Sequence, residues 1–316
     1  MSSINTNFAA MTALQSLTQT NKMLTTTQRH ISTGLRVSEA SDNAAYWSIA
    51  TTMKSDKASL STVQDALGLG AGLVDVTYTA VNSAIEVVDQ IKSKLVAATE
   101  PGIDKTKVQS EITQLQRQLV GIASSASFSG QNWLSVDSST AGFNATKNIV
   151  SSFTRTGSSV AIQTIGIDTT SMDLFDSNSA ATNAAGGILD SNRDATGAVD
   201  NTATTWSISN LNISALTDSA ADATTLSSYI SGADAAVKEM TDAASGLGAV
   251  KSRIGLQQDF VKSLMDALDR GVSTLVDADM NQESTKLQAL QVQQQLGIQA
   301  LSIANSSNQS ILKLFQ

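Results

Sequence analysis

The stretch LQSLTQTNKMLTTTQRHISTGL, residues 14–35, decides the fold of this chain. Selected positions recur at alternating three- and four-residue steps, which is the spacing of a coiled-coil seam. Residues 287–315 repeat this spacing at the other end of the chain. The predicted seam positions are Leu14, Leu17, Asn21, Leu24, Gln28, Ile31 and Leu35, and then Leu287, Leu290, Gln294, Gly297, Leu301, Ala304, Asn308, Ile311 and Phe315. Because chain ends are normally the least ordered part of a domain, two terminal seams indicate an assembly role.

Composition favours slender helical bundles over one large globular core. Aromatic residues make up only 4% of the chain, and its single proline, Pro101, permits long helices on both sides. The net charge of -8 and the scattered basic residues argue against nucleic acid as a partner. No apolar run reaches the ~18 residues of a membrane span, and residues 1–8 lack the features of a cleaved signal peptide. The absence of cysteine favours a cytosolic protein over an exported one that avoids stray thiols, but leaves both open.

Two long helical patterns between the terminal seams predict rods. Residues 44–98 carry a seven-residue apolar repeat, which Pro101 and Gly102 end, and a shorter helix follows from Val108 to Ile122. Residues 226–275 continue three- and four-residue steps in which only Lys251 and Gln258 are polar. The chain is therefore expected to be mainly α, with long antiparallel coiled-coil-like rods from both chain ends.

The middle of the chain predicts a small β-rich or irregular outer region. Residues 149–153 and 160–167 are typical of strands, and a turn around Gly157 would join them as a hairpin. Residues 168–204 are rich in small polar residues and show little periodicity. The apolar residues between Trp206 and Ile213 suggest one or two returning strands.

The terminal seams look too short to stabilise themselves. Burying their apolar side chains gains less free energy than the backbone entropy lost when both termini become ordered. We therefore expect the termini to be disordered in the monomer and to fold when subunits pack together. In that assembly the polar seam positions Asn21, Gln28, Gln294 and Asn308 would fix the register.

Both ends of the chain resemble bacterial flagellin in the same order as in that family. The matching segments are Ile4-Asn-Thr-Asn7, Ile31-Ser-Thr-Gly-Leu-Arg36, Phe128-Ser-Gly130, Leu247-Gly-Ala-Val-Lys-Ser-Arg253-Ile254 and Leu312-Lys-Leu-Phe315. The segment Asp42-Asn-Ala-Ala-Tyr-Trp-Ser-Ile-Ala50 is similar to the alphaproteobacterial, rhizobial-type subgroup.

This resemblance implies a subunit of the extracellular flagellar filament, used for swimming. Its partners would be other copies of itself or related flagellins, the flagellar type III export apparatus, the filament cap and the hook-junction proteins. By analogy, residues 1–43 with 276–316 form an inner coiled-coil domain, and residues 44–168 with 222–275 form a helical rod domain with a β-hairpin. Residues 169–221 form a surface-exposed variable segment.

Two further groups of residues follow from the resemblance alone. Gly34, Leu35, Arg36, Asp42 and Ala44 would lie where two helical shells join, with Gly34 allowing a bend. Some flagellins are recognised by an innate immune receptor through a rod-helix motif. Gln90, Ser93 and Lys94 replace residues expected in that motif while Glu111 is kept, so weak or absent receptor activation is expected.

No catalytic, cofactor or metal site is expected. The only histidine, His30, lies on a predicted coiled-coil helix and cannot form a paired metal-ligand motif by itself. Carboxylates such as Asp277 and Asp279 are expected to be solvated or interfacial. Two other functions remain open: a hook–filament junction protein, which copy number in sheared filaments would distinguish, and a secreted helical effector or adhesin, which terminal truncation would distinguish.

Overall fold

The computed structural model describes residues 6–157, 159–177, 186–200 and 206–314, with side chains as far as residue 306. Long helices account for most of these residues, which confirms the mainly α prediction. The helices are α1 (Phe8–Thr33), α2 (Ala44–Ala97), α3 (Lys105–Ser125), α4 (Ala220–Val276) and α5 (Met280–Leu314). The strands are β1 (Ser127–Phe128), β2 (Gln131–Asn132), β3 (Ser135–Val136), β4 (Thr146–Thr156), β5 (Ser159–Asp168) and β6 (Phe175–Asp176).

The chain folds into two compact units. The first unit comprises Met1–Ala58 and Leu264–Gln316, and the second comprises Ser59–Ser263. The boundaries fall inside α2 and α4, so each of these helices contributes residues to both units. The three-domain division proposed from the sequence stays a prediction.

Seven-residue repeats place the core of the second unit on α2 and α4. Side chains at these positions are buried, and ion pairs join the helices at Lys92 with Asp234 and at Lys251 with Asp75. Residue numbers rise on α2 as they fall on α4, so the helices are antiparallel, as predicted. The buried repeat positions are Leu60, Leu67, Val74, Val81 and Val88 on α2, and Leu226, Ala233, Met240, Leu247, Ile254 and Val261 on α4.

The predicted hairpin is present, with longer strands than expected. β4 pairs antiparallel with β5 from Thr146 opposite Asp168 to Thr156 opposite Ser159, with an irregularity between Val150 and Ser152. The connection is therefore shorter than the six residues, 154–159, that lie between the predicted strands 149–153 and 160–167. Gly157 lies in it with a φ of 64°, which glycine adopts without strain.

The returning strands predicted between Trp206 and Ile213 are wrong. Apart from one bridge between Trp206 and Arg193, the described residues 206–219 form turns and irregular backbone. Here a side chain of α3 supplies the hydrogen bonds that a paired strand would otherwise supply. Gln116 Nε2 donates to the carbonyl oxygens of Ile208 and Leu211 at 3.0 and 3.1 Å. These backbone acceptors are satisfied without a β-ladder.

Within the described part of the middle segment (residues 169–221), Trp206 and Arg193 contact α4. Trp206 is 8% exposed and its ring packs against Gly232. A Cβ at Gly232 would lie 2.2 Å from a ring carbon of Trp206, so only glycine permits this approach. Arg193 is fully buried, and its Nη2 lies 2.8 Å from Glu239 Oε2 on the same helix.

Candidate assembly interface

The terminal helices α1 and α5 pair along their length in the first unit. Asn7 begins α1, since its side chain accepts a hydrogen bond from the backbone N–H of Ala10 at 3.0 Å. The Nδ2 of Asn7 donates to the carbonyl oxygen of Ala304 at 3.0 Å, and Gln294 Nε2 donates to Asn21 Oδ1 at 2.8 Å. Early residues of α1 meet late residues of α5, so the two helices are antiparallel.

On α5, the positions facing α1 are those that the sequence predicted. They are buried or half-buried while their neighbours are exposed, and Leu290 is the most buried of them at 4% exposure. They are Leu287, Leu290, Gln294, Gly297, Leu301 and Ala304. The side chains of Asn308 and Ile311 and the whole of Phe315 lie outside the described residues.

On α1, only alternate positions of the predicted seam lie on the face toward α5. Leu17, Leu24 and Ile31 are half-buried as expected, whereas Leu14, Asn21 and Gln28 are exposed. The remaining positions of this face belong to Ala13, Thr20 and Thr27, which hydrophobicity alone does not select. Small side chains let two helices approach closely, which explains why this face is built around them. The register role assigned to Asn21 and Gln28 stays a prediction.

A second apolar stripe runs along α5 on the face opposite α1. Val292, Leu296 and Ile303 are 55%, 57% and 68% exposed. Their steps of four and seven residues place them on one side of a helix. An α-helix with apolar residues on two opposite faces can bury one face within its own chain and the other only against a partner.

The outer surface of α1 also carries large apolar side chains. Phe8, Met11 and Leu14 are 67%, 60% and 54% exposed. They line a shallow groove together with polar residues of the next turns. Single exposed apolar residues are ordinary on protein surfaces, but a cluster of this kind marks an interaction surface.

One polar pair is buried between the terminal helices. His30 and Glu283 are 7% and 9% exposed, and His30 Nδ1 lies 3.2 Å from Glu283 Oε1. Sequence reasoning placed His30 on this helix but missed Glu283 as its partner. The signal was available, because Glu283 lies four residues before Leu287 and therefore continues the α5 seam.

α1 ends at Gly34, one of the residues of the predicted junction. Gly34 has a φ of 71°, and its N–H donates to the carbonyl oxygen of His30 at 2.8 Å. A glycine in this left-handed backbone conformation is a common end of an α-helix. The next residues pair with the end of α4: Arg36 N donates to Val276 O at 2.6 Å, and Arg36 Nη2 donates to Leu275 O at 3.0 Å. Gly34 O in turn accepts from the N–H of Ala278 at 2.9 Å, just beyond α4.

The other predicted junction residues lie close by. Leu35 packs against the small apolar cluster of Val37, Ala50 and Val276. Ala44 is the exposed first residue of α2. The structure thus brings the end of α1, the start of α2 and the end of α4 together within the first unit.

Asp42 stabilises the connection between α1 and α2 by accepting hydrogen bonds. Arg29 Nη2 donates to Asp42 Oδ1 at 2.5 Å, and Asp42 Oδ2 accepts from the backbone N–H groups of Ser38 and Glu39. Burial raises the pKa of Asp42, but these hydrogen bonds outweigh it and lower the pKa from 3.8 to about 2. The carboxylate is therefore ionised wherever the protein is folded at ordinary pH.

The residues of the predicted receptor stretch lie on α2 and α3 of the second unit. Gln90 and Ser93 are exposed, and Lys94 is half-buried. Lys94 Nζ lies 2.6 Å from Glu111 Oε2 on α3. The lysine that departs from the expected motif thus pairs with the glutamate that is kept.

Comparison with known proteins assigns both ends of the chain to one family. Residues 4–139 match the bacterial flagellin N-terminal helical region, and residues 230–315 match the bacterial flagellin C-terminal helical region. The chain belongs to the bacterial flagellin family. This flagellin is 50% identical to Flagellin C of Rhizobium meliloti (strain 1021) and 44% identical to Flagellin A of Rhizobium meliloti. It is 45% identical to a flagellin of Brucella melitensis biotype 1, and each match covers 100% of both chains.

These relatives confirm the predicted rhizobial type. Membership of the family identifies this flagellin as a structural subunit of a flagellar filament. In the described ranges, no group of three or more histidine, cysteine or acidic residues is placed to hold a metal ion. No helix of those ranges has the length and hydropathy to cross a membrane.

Proposed function

We propose that this flagellin polymerises through the exposed apolar faces of α1 and α5, each copy covering these faces on its neighbours. The observation that carries the proposal is the stripe of Val292, Leu296 and Ile303, opposite the face that meets α1. Burying apolar area stabilises association by roughly 25 cal/mol per Å², and a stripe repeated on every subunit adds this gain throughout a polymer.

The proposed interface also includes residues predicted from the two seams. Leu14 is exposed on the surface of α1, and Asn21 and Gln28 are exposed beside the contact with α5. Within an assembly these polar residues would be covered by a neighbouring copy and would favour one alignment over others. Circular dichroism of monomer and polymer tests the associated folding of the termini, and equal helix content in both would contradict it.

A charged substitution in the stripe tests the interface directly. Val292→Asp should prevent filament formation, because an unpaired carboxylate would be buried at every repeat. Val199→Asp is the matched control, since Val199 is 44% exposed in the middle segment and Val292 is 55% exposed. Sedimentation and electron microscopy of both purified variants give the result. Normal filaments from Val292→Asp would refute the proposed surface.

The filament role predicts a requirement for the last residues of the chain. Deletion of residues 311–316 should abolish filaments, whereas a secreted effector or adhesin would lose no polymer. Copy number in sheared filaments distinguishes the filament subunit from a hook–filament junction protein. The full-length similarity to several flagellins favours the abundant subunit.

The proposal includes an extracellular location, with export through the flagellar type III apparatus and addition beneath the filament cap. It also excludes catalysis, cofactors and nucleic acid as part of the function. The structural character of the family supports this view. Immunogold labelling of intact cells would test the location, and loss of swimming in a deletion strain would test the role in motility.

A further inference from the structure

Two large aromatic side chains are exposed on the first turn of α2. Tyr46 and Trp47, here called the aromatic pair, are 41% and 38% exposed. The other two tryptophans of the chain, Trp133 and Trp206, are 1% and 8% exposed. Side chains on a helix lean toward its N-terminal end, so the aromatic pair lies around the point where α2 begins. Tyrosine and tryptophan combine a large apolar area with one polar group, and both are enriched among the residues that dominate binding at interfaces.

The aromatic pair is carried by a well-ordered turn. Asn43 caps α2, since its Oδ1 accepts from the backbone N–H of Tyr46 at 3.1 Å. The backbone N–H of Trp47 donates to the carbonyl oxygen of Asn43 at 2.9 Å. Just before this turn, Asp42 binds the side chain of Arg29. Because the backbone beneath the pair is already ordered, its side chains lose less entropy when they bind a partner.

The groove on the outer surface of α1 has the chemistry to receive such side chains. Its volume of about 750 Å³ is within the range of pockets that take ring-sized groups. A lysine ammonium group binds best to the face of an indole, and glutamine amides can form hydrogen bonds with an indole N–H or a phenol O–H. The groove offers both kinds of group beside apolar surface, through Phe8, Met11, Leu14, Gln15, Gln19 and Lys22.

The groove and the aromatic pair of one chain do not meet. Both belong to the first unit, but neither aromatic residue lines the groove. From the middle of the groove at Gln15 to Arg29, which binds Asp42 just before α2, the helix rises roughly 20 Å. An aromatic side chain cannot span this distance. A second copy of the chain can bring its own aromatic pair to the groove.

We propose that Tyr46 and Trp47 of one copy dock into the α1 groove of the next copy. The two surfaces differ, so the contact is heterologous: each copy offers its aromatic pair to one neighbour and its groove to another. A heterologous contact whose rotation does not close builds an open helical polymer, which is the form of a filament. The inference rests on the proposed function and names the surface that covers the exposed face of α1.

Cross-linking tests the contact directly, because the chain contains no cysteine of its own. Thr18→Cys places a thiol in the lining of the groove, and Ser48→Cys places one next to Trp47; both positions are exposed. Filaments of the double variant, treated with a short thiol cross-linker, should give dimers, trimers and longer chains on a denaturing gel. Each single variant should give no such ladder, because like surfaces do not meet in a heterologous contact.

The matched control combines Thr18→Cys with Ser110→Cys, since Ser110 is exposed on α3 of the second unit. This pair should give no ladder. Filaments of the Thr18→Cys, Ser48→Cys variant that cross-link no better than the control overturn the docking and leave the proposed function intact. Wild-type protein that forms no filament overturns both.

Tryptophan fluorescence gives a second readout. In the unassembled chain, acrylamide should quench Trp47 far more than the buried Trp133 and Trp206. Polymerisation should remove most of the quenching of Trp47, measured as the difference between wild type and Trp47→Phe. Quenching of Trp47 that is equal in filaments and in unassembled chains would overturn the docking. Protection of Trp47 without a cross-linked ladder would also overturn it, since another surface would then cover the indole.

Trp47→Ala tests how much the docked side chain contributes. It should raise the critical concentration for polymerisation roughly thirtyfold, the effect of removing an anchor residue from an interface. The thermal midpoint of the unassembled chain, measured by circular dichroism, should stay close to that of wild type and show that the fold is intact. A critical concentration equal to that of wild type would contradict the docking.

Discussion

Replacing Asp173 with asparagine should stabilise the second unit at about pH 8 and leave its stability nearly unchanged at about pH 4. The Asp173 side chain is 8% exposed and lies near other carboxylates. Burial is the main cause that raises its pKa from 3.8 to about 7, and the charge of Asp176 adds to it. Asparagine has nearly the same shape and carries no charge at any of these pH values.

The sign follows from proton binding. Between about pH 4 and pH 7 the folded protein holds a proton on Asp173 that the unfolded chain has released, so the free energy of unfolding falls as the pH rises. A pKa difference of about 3 units corresponds to about 4 kcal/mol at most, because each unit is about 1.4 kcal/mol. This destabilisation by Asp173 is absent below about pH 4, where the carboxyl group is protonated in both the folded and the unfolded state. It reaches its full size above about pH 7, where the group is ionised in both states.

Denaturant unfolding followed by tryptophan fluorescence measures this effect, because Trp133 and Trp206 are 1% and 8% exposed in the same unit. Asp194→Asn is the control of opposite sign: the hydrogen bond from Thr196 is the main cause that lowers the pKa of Asp194, so its substitution should destabilise the unit at pH 8. Parallel pH profiles for wild type and Asp173→Asn would show that Asp173 does not carry the buried-charge penalty, and the reasoning would then be wrong.

Three further predictions concern single positions. Gly34→Ala should lower the thermal midpoint of the first unit, measured by circular dichroism, because a φ of 71° costs a residue with a Cβ about 1 kcal/mol; an unchanged midpoint would contradict this. Asp42→Asn should lower the free energy of unfolding at pH 7 and lose that effect as the pH falls from 3.8 to about 2, where the wild-type carboxylate becomes protonated; urea titrations across this range should show the two proteins converging. Wild-type protein should activate the innate receptor weakly in reporter cells, and Lys94→Leu should increase activation by releasing Glu111; wild-type potency equal to that of enteric flagellins would refute this expectation.

The long helices could be predicted from sequence because their buried residues are large, apolar and regularly spaced. On α5, Leu290, Leu301 and the seam positions between them lie where the three- and four-residue steps placed them. On α1 the same rule failed at Leu14, which is exposed while Ala13 is half-buried. A rule that scores hydrophobicity prefers leucine to alanine, whereas close packing of two helices favours the smaller side chain.

The middle segment shows the opposite limit of sequence reasoning. The apolar alternation after Trp206 is typical of strands, but Ile208 and Leu211 are buried on turns whose carbonyl oxygens bind Gln116. An alternation of apolar and polar residues indicates which side chains face a core. It does not indicate which groups form hydrogen bonds with the backbone N–H and C=O groups of the same residues. The pairing of His30 with Glu283 was missed because a rule that scores hydrophobicity does not select a glutamate, although Glu283 continues the three- and four-residue steps of the α5 seam.

The contact of Trp206 with Gly232 constrains how flagellins of this type can diversify or be engineered for display. The indole occupies the space that any side chain at Gly232 would need. A foreign loop grafted in place of Trp206 would leave a hole on α4, and a side chain introduced at Gly232 would expel the indole. Grafts that keep Trp206 and begin beyond it should preserve expression yield, whereas replacements that include it should need a compensating change on α4.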